Sequence, residues 1–385
     1  MSKVVLTAER LLTPEKSIPQ PSVVVEDGTI RAIVSRSLAE LPAGETLDFP
    51  GCVLVPAYFD VHVHGSAGYD LMDGSDEAFR AVSRFLARRG VGAFFPTTVT
   101  ANLDATLRAL SAMASRLDSD FGGARCAGIH LEGPFLSHIK RGVHPPQYLQ
   151  DPSVDVFDSF WQAADGRITL MTIAPELPGS EELIAHAASL GVRVSLGHSD
   201  AGVAETLRGI RAGGTSATHT FNAMRSLNHR DPGIAAVVLD EDRLFAEIIA
   251  DGHHVDPLLV RLFWKAKGPQ RSILVTDGIS ATGMPDGNYT LGGMEVEVKD
   301  GICLLDGVLA GSTLTMDRAV QNFHTMTGVS LDIATALAAR NPAAMTGLSD
   351  RIGTLAVGRA ADIAVLTPAG SLVATLLGGR RVAAA

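Results

Sequence analysis

Residues 52–56 (CVLVP) and 59–65 (FDVHVHG) decide the fold of this chain. The first run is apolar and predicts a buried β-strand that leads into the second. Residues two apart in a strand point to the same face, so His62 and His64 are expected to project together. Two imidazoles on one strand edge can hold a divalent cation in a nitrogen-rich site. The alternative is a pair of structural histidines near a turn, and the rest of the chain distinguishes the two.

Length, composition and charge limit the class of protein. With 385 residues, the chain suits a barrel of about 250 residues with an accessory domain. Apolar residues make up 46%, which is enough to bury a large core. The formal net charge is −10 without a basic run, which argues against nucleic acid as a partner. An anionic substrate would therefore need a few local cations to hold it.

The N-terminus and the cysteines predict a cytoplasmic protein that does not contact a membrane. The first residues, MSKVVL, lack the apolar segment of a signal peptide, and no apolar run reaches membrane-spanning length. Cys52, Cys126 and Cys303 are odd in number and widely spaced, which indicates reduced thiols instead of a disulfide framework. So few cysteines also exclude a cysteine-rich zinc site.

Both ends of the chain are rich in predicted strands. Short strands are expected at 4–6, 22–25, 30–33, 361–366 and 371–376, with a hairpin-like turn at 26–29. The middle of the chain differs, which suggests one small β-sandwich domain assembled from residues 1–52 and 350–385. Residues 53–349 are then expected to form the catalytic domain.

Strands and helices alternate in this middle part. Helices are expected at 75–89 and 103–118, and apolar strands at 53–55, 90–98, 127–131, 168–173, 192–196, 216–218, 245–249 and 273–275. About eight strands with helices between most of them predict an α/β fold, a parallel TIM-like (β/α)8 barrel. A doubly wound open sheet is the alternative, but no Gly-x-Gly-x-x-Gly follows a strand to support it.

Polar residues follow these strands where a barrel has its catalytic face. His130 and Glu132 are expected to share a face, while His198, His219 and Asp277 follow three other strands. Each has a structural alternative by itself: a Gly-His-Ser turn, a solvated glutamate, or an aspartate in a turn or helix cap. Together they predict a metal site, because chance rarely places such residues after successive strands.

The expected chemistry is metal-dependent hydrolysis. A divalent metal lowers the pKa of a bound water towards neutrality and polarises a carbonyl group. A carboxylate beside it can take the proton of the water and hand it to the leaving amine. Asp277 is the carboxylate without another role, and it is therefore the candidate for this work.

Short motifs extend the pattern along almost the whole chain: HVH at 62–64, HLEGPF at 130–135, GHS at 197–199, THTFNAM at 218–224, ADGHH at 250–254, TDG at 276–278, LAGS at 309–312 and NPA at 341–343. Together they resemble the N-acetylglucosamine-6-phosphate deacetylase family of the amidohydrolase superfamily. The resemblance implies hydrolysis of N-acetylglucosamine 6-phosphate to glucosamine 6-phosphate and acetate, in amino-sugar catabolism and cell-wall sugar recycling.

The resemblance also implies roles for individual residues. It makes Glu132, His198 and His219 ligands of the principal metal, and Asp277 the general base and then acid. It matches His144 to the histidine that orients the substrate carbonyl. The positions that match substrate-binding residues are Val143, His144, Asn222, Ala223, Arg230, Asp251, His254, Leu309, Ala310 and Gly311.

Cofactor and partners follow from the same resemblance. Zinc is the expected ion, with iron, manganese or cobalt as alternatives, and one or two ions are expected per chain. Some family members lack the His-x-His pair and bind one metal. This chain keeps His62 and His64, so the resemblance allows a second metal that shares Glu132. The resemblance also implies a homodimer, in which Arg230 reaches the site of the neighbouring subunit.

Some positions keep an alternative interpretation. Ala57 stands where the family usually has glycine, so the turn must avoid a positive φ or accept strain. Arg230 suits a phosphate because its planar fork donates two hydrogen bonds, although a surface arginine in a turn is the simpler interpretation. Of the adjacent His253 and His254, one is expected to point inward, and the resemblance selects His254.

Two other functions compete with deacetylation. A dihydroorotase or hydantoinase would bridge two metals with a carboxylated lysine from the fourth strand, but residues 168–176 contain no lysine. Between His64 and His198 the only lysine is Lys140, so Glu132 must supply the carboxylate. A catalytically inactive scaffold of the same fold should have lost metal ligands, and this chain retains them.

Overall fold

The computed structural model describes residues 3–13, 16–36, 44–117 and 119–383. Strands from both ends of the chain form one mixed eight-stranded sheet, the terminal sheet. Its strands are Lys3–Leu12, Ser17–Pro19, Pro21–Glu26, Thr29–Ser35, Glu45–Pro56, Ile363–Leu366, Leu372–Leu377 and Arg380–Arg381. The strands predicted at the two ends are therefore confirmed. Residues 1–2, 14–15, 37–43 and 384–385 of the predicted terminal domain, and Asp118 of the predicted second helix, lie outside the described residues.

The assignment of 53–55 to the first barrel strand is wrong. These residues close the strand Glu45–Pro56, which pairs in parallel with Lys3–Leu12 and antiparallel with Ile363–Leu366. The strand that carries His62 is the next one, Tyr58–Val63. An apolar run reports that a strand is buried, but it does not report which distant strand pairs with it.

Ala57 connects these two strands without backbone strain. The N–H of Ala57 donates to the carbonyl oxygen of Asp362, and Ala57 does not have a positive φ. A Cβ built on Gly92 would lie 2.9 Å from the Cβ of Ala57, so the methyl group occupies the space that this glycine leaves. The expected turn without a positive φ is confirmed.

Parallel strands make up two further sheets that position the site. The larger sheet contains Ile129–Glu132, Ile168–Ile173, Arg193–Leu196, Gly214–Ala217, Phe245–Ile248 and Ser272–Leu274, in this order. The smaller sheet contains Tyr58–Val63, Val91–Pro96 and Arg125–Cys126. Isolated parallel bridges join the two sheets at Thr97–His130 and at Val63–Gly278. The predicted alternation of parallel strands with helices is thus observed.

Helices cover these strands from outside, and amphipathic patterning forms them. In Asp76–Arg88, Ser75 caps the N-terminus by accepting from the Ala78 N–H, while Phe79, Val82 and Leu86 are buried. The other helices are Leu103–Arg116, Val154–Ala163, Ser180–Ser189, Val203–Ala212, Gly233–Asp240, Pro257–Arg271 with a kink at Gly268, Met316–Thr327, Leu331–Ala338 and Arg340–Thr346, with 3-10 turns at Leu71–Asp73 and Pro146–Tyr148. None of the helices described is long and apolar enough to span a membrane.

A four-stranded antiparallel sheet, the insert sheet, was not predicted. Its strands are Gly287–Leu291, Met294–Lys299, Ile302–Leu305 and Val308–Leu309. Buried Val296 and Val298 alternate with exposed Glu295 and Glu297, a period-two signal that could have identified it. The insert sheet packs its apolar side beside Val99 and forms part of the wall of the site.

Candidate active site

The candidate metal ligands meet at the C-terminal ends of the parallel strands. Glu132 ends its strand, whereas His198 and His219 lie just beyond the ends of theirs. His62 is the penultimate residue of Tyr58–Val63, and His64 follows that strand directly. All five side chains are buried. Parallel strands bring their C-terminal ends to one face, and this explains why residues so distant in sequence converge.

One group consists of His198, His219 and one oxygen of Glu132. The two Nε2 atoms are 3.0 Å apart, and they lie 3.3 and 3.5 Å from Glu132 Oε1. Ligands about 2.1 Å from a tetrahedral cation lie about 3.4 Å from one another. The three atoms therefore have the spacing of three corners of a tetrahedral metal site.

The second group uses the other oxygen of the same carboxylate. Glu132 Oε2 lies 3.4 Å from His62 Nε2 and 3.3 Å from His64 Nε2, and the two nitrogens are 3.2 Å apart. Asp277 Oδ1 lies beside this group, 3.1 Å from His64 Nε2 and 3.4 Å from His62 Nε2. Glu132 thus lies between two pairs of histidines, as a carboxylate shared by two ions would.

The buried carboxylates and imidazoles shift one another's pKa values. Burial alone would raise the pKa of Glu132, but the surrounding histidines, His62 first, hold this pKa well below its usual range. Burial lowers the pKa of His64, yet its interactions with Asp277 and Glu132 outweigh burial and raise this pKa to about 9. The two carboxylates and the histidines between them therefore form a cluster that suits a divalent cation.

Two candidate metal ligands and the candidate general base have an unusual backbone. His198, His219 and Asp277 have φ values of 46°, 26° and 53°, in the left-handed region that residues other than glycine rarely adopt. Each follows the end of a parallel strand, where the chain turns sharply and presents the side chain to the interior. Strain of this kind concentrates at functional sites, because the surrounding structure must hold it in place.

His144 is oriented towards the same centre. The backbone N–H of Thr100 donates to its Nδ1 at 3.3 Å, so the neutral ring carries its proton on Nε2. Nε2 lies 3.7 Å from Glu132 Oε2. Burial and the neighbouring His198 lower the pKa of His144 to about 3, which keeps the ring neutral. His144 can therefore donate a hydrogen bond to a group bound beside Glu132.

A cavity of about 340 Å³ opens above these residues. Of the predicted site residues, it is lined by His64, Glu132, Val143, His144, His198, His219, Asn222, Ala223, His254, Asp277, Leu309 and Gly311. The cavity is also lined by residues that were not predicted: Val99, Ile139, Lys140, Gly142, Leu291 and Val308. The insert sheet supplies Leu291, Val308 and Leu309, so its omission from the sequence analysis left one wall unassigned.

Four predicted residues lie outside this lining. Asp251 holds His254 in place, with its Oδ2 2.6 Å from His254 Nδ1. His62 lies beneath the cavity, and Ala310 is buried between Leu309 and Gly311. Arg230 is exposed on a loop and is not brought to the cavity of its own chain.

Buried polar residues beside the ligands were also missed. The hydroxyl of Thr276 donates to Asp60 Oδ2 at 2.6 Å. This hydrogen bond joins the strand that carries His62 to the segment that carries Asp277. Burial, partly offset by the hydrogen bonds from Thr276, raises the pKa of Asp60 to about 7. Glu247 lies beside His62 and is fully buried. His130, which was expected to share a face with Glu132, has its Nε2 2.8 Å from the Thr172 hydroxyl. Its ring packs edge-on against that of His62, with ring centroids 4.7 Å apart.

Parallel strands alternating with helices, with two histidine–carboxylate groups at the strand ends, are typical of metal-dependent hydrolases. The pattern of the amidohydrolase family matches residues 53–382, and the chain belongs to this family.

Named relatives cover almost the whole chain. The N-acetylglucosamine-6-phosphate deacetylase of Vibrio furnissii is 37% identical over 374 residues, covering 95% of this chain and 92% of the relative. The N-acetylgalactosamine-6-phosphate deacetylase of Escherichia coli O157:H7 is 38% identical over 365 residues, covering 94% of each. A structure of N-acetyl-D-glucosamine-6-phosphate deacetylase from Mycobacterium smegmatis, in complex with N-acetyl-D-glucosamine-6-phosphate, is similar with a TM-score of 0.94 and 31% identity, covering 100% of both chains.

Proposed function

We propose that the protein hydrolyses the N-acetyl group of N-acetyl-D-glucosamine 6-phosphate, giving D-glucosamine 6-phosphate and acetate. The observation that carries this proposal is the meeting of Glu132, His198 and His219 with Asp277 at the floor of the cavity. The relatives that match along the whole chain act, by name, on phosphorylated N-acetyl amino sugars. An acetate-release assay on the phosphorylated and unphosphorylated sugar, with metal content measured on the same sample, tests the proposal.

Glu132, His198 and His219 would hold the principal ion, with zinc as the expected metal. Such an ion lowers the pKa of a bound water and polarises the acetyl carbonyl. His144 Nε2–H donates to that carbonyl and orients it. Asp277 takes a proton from the attacking water and returns it to the amide nitrogen as the C–N bond breaks. The bond from the water oxygen to the acetyl carbon forms as the C–N bond breaks. The second proton of the water also passes to the amine, so that acetate and an ammonium group leave.

The sugar epimer needs its own comparison, because the Escherichia coli relative is named for the galactosamine substrate. The two amino sugars differ only in the orientation of one hydroxyl group. Identities of 37% and 38% are too close to favour one epimer. We retain N-acetylglucosamine 6-phosphate as the proposed substrate, and kcat/KM measured on both sugars decides between them.

The rival cyclic amidases are disfavoured by the same geometry. The strand Ile168–Ile173, from which a carboxylated lysine would have to come, contains no lysine. Glu132 occupies the position between the histidine pairs instead. An inactive scaffold is disfavoured because both groups of ligand atoms have metal-site spacing, and a metal analysis of the purified protein tests it.

A second ion is proposed at His62, His64 and Glu132. Metal titrated into stripped protein is expected to bind beyond one equivalent per chain, since the two groups share Glu132 without sharing an oxygen. His62→Ala should reduce the stoichiometry to about one ion per chain and leave the other group intact. Activity that saturates at one ion and is unchanged in His62→Ala would reduce the pair to a structural role.

We propose that the protein is a homodimer in which Arg230 serves the neighbouring subunit. Arg230 is exposed on the surface of its own chain, as expected for a residue that reaches the site of a neighbouring subunit. The helix Pro257–Arg271 exposes Leu258, Leu259 and Leu262, an apolar face typical of an interaction surface.

Because the chain carries a net charge of −10, a dianionic sugar phosphate needs specific cations to bind. His254, which faces the cavity, is proposed as a second phosphate contact.

Arg230→Ala is expected to raise KM for N-acetylglucosamine 6-phosphate by about ten- to a hundredfold. A charge-assisted hydrogen bond contributes roughly 1.5–3 kcal/mol, which corresponds to this factor. The unphosphorylated sugar never uses the contact, so its kinetics should barely change. Arg243→Ala, which removes an exposed arginine paired with Glu241, is the matched control. Equal losses on both sugars would mean that Arg230 supports the fold or the dimer.

We also propose how the sheets and domains of the protein are arranged and where in the cell the protein is located. The two parallel sheets close into one (β/α)8 barrel, a proposal supported by the bridges at Thr97–His130 and Val63–Gly278. Residues 1–52 and 350–385 form a small β-sandwich domain and 53–349 the barrel, although the pairing of Glu45–Pro56 favours a first boundary at Ala57. A cytoplasmic location is supported by the three free cysteines.

A further inference from the structure

Glu247 is a fully buried carboxylate at the centre of the site that the proposed chemistry does not use. It lies on the strand Phe245–Ile248, with no exposed surface. Its Oε2 is 3.5 Å from His62 Nδ1 and accepts the backbone N–H of His219 at 3.3 Å. One carboxylate oxygen therefore contacts a histidine from each of the two groups.

The charge of Glu247 needs compensation. Burying an ionised carboxylate is costly unless it is paired and hydrogen-bonded. Within the described ranges, its one ion-pair partner is the imidazole of His62, and its Oε1 has no hydrogen-bond partner. The His62 ring is therefore the side chain that is placed to compensate this carboxylate, with its Nδ1 3.5 Å from Oε2.

We propose that Glu247 is a positioning residue, which holds the proton of His62 on Nδ1 and leaves Nε2 free to bind the second cation. A carboxylate can only accept, so Nδ1 must donate to it. On the other side of the ring, Nε2 faces His64 Nε2 at 3.2 Å and Glu132 Oε2 at 3.4 Å. A carboxylate behind a metal-binding histidine fixes the orientation of the ring and makes it a stronger ligand.

The inference rests on the proposed two-ion site, so the parent protein is titrated first. Binding of a single ion by the parent, unchanged in His62→Ala, would overturn the two-ion proposal and the role of Glu247 with it. If the parent binds two ions, the variant Glu247→Gln isolates the inference, because it keeps the shape of the side chain and removes the charge.

Glu247→Gln is expected to weaken binding of the second ion about 10- to 100-fold and to leave the first ion in place. Affinities are measured by competition with a chromogenic chelator, and the absorption of bound Co²⁺ reports each coordination environment. Asp70→Asn is the matched control, because Asp70 is a buried carboxylate that accepts from the backbone N–H groups of Met72 and Gly292.

A selective loss of affinity for the second ion identifies a positioning role. A merely structural role of Glu247 would weaken the binding of both ions or of neither. Two ions bound with parental affinities in Glu247→Gln would overturn the inference. So would an equal loss in Asp70→Asn. If the glutamine variant does not fold, Glu247→Asp gives the same comparison, since it keeps the charge but withdraws it from His62; here too the second ion should weaken selectively.

Discussion

Replacing Asp277 by asparagine is expected to lower kcat by about 10²–10⁴-fold, the usual contribution of a general acid–base group. Asparagine has the same shape but cannot take a proton from the attacking water. The backbone around it should persist, because its N–H donates to the His62 carbonyl and its carbonyl accepts from the Ser312 N–H. Asparagine also tolerates the left-handed φ of 53°.

Steady-state kinetics and metal analysis on the same preparation check this prediction. Metal content and KM should stay near parental values while kcat falls. Asp300→Asn is the matched control, since Asp300 has the same φ of 53° but is exposed and lies outside the cavity. A kcat within a few-fold of the parent would remove Asp277 from the proton transfer.

His198→Ala is expected to lose the principal metal and the activity together. His198 is one of the three candidate ligands in its group, and a hydrolytic site with three protein ligands has none to spare. The substitution also removes the interaction of His198 Nδ1 with the carbonyl oxygen of Lys140, 3.0 Å away, which anchors the loop that carries His144. Metal content and turnover should therefore fall in parallel.

Backbone strain complicates the alanine variant, because His198 has a φ of 46°. His198→Asn resolves this, since asparagine tolerates that conformation but lacks the imidazole. Both variants should lose the metal, whereas His253→Ala, which removes an exposed histidine, should retain it. A His198→Asn protein with full metal content and normal turnover would show that the assignment of this ligand is wrong.

The sequence by itself predicted the helices at 75–89 and 103–118 and most of the strands, because apolar periodicity reports local burial directly. It also predicted that His62, His64, Glu132, His198, His219 and Asp277 would meet, since the C-terminal ends of parallel strands share one face. The insert sheet was missed although the alternation at Met294–Lys299 was visible.

Only the tertiary structure decided which distant segments pair. It placed 53–55 in the terminal sheet, divided the two oxygens of Glu132 between the histidine pairs, and left Arg230 outside its own cavity. It also brought Glu247 to His62 across 185 residues of sequence. The physical reason is that local patterns record whether a residue is buried, whereas its contacts depend on strand pairing between segments far apart in the chain.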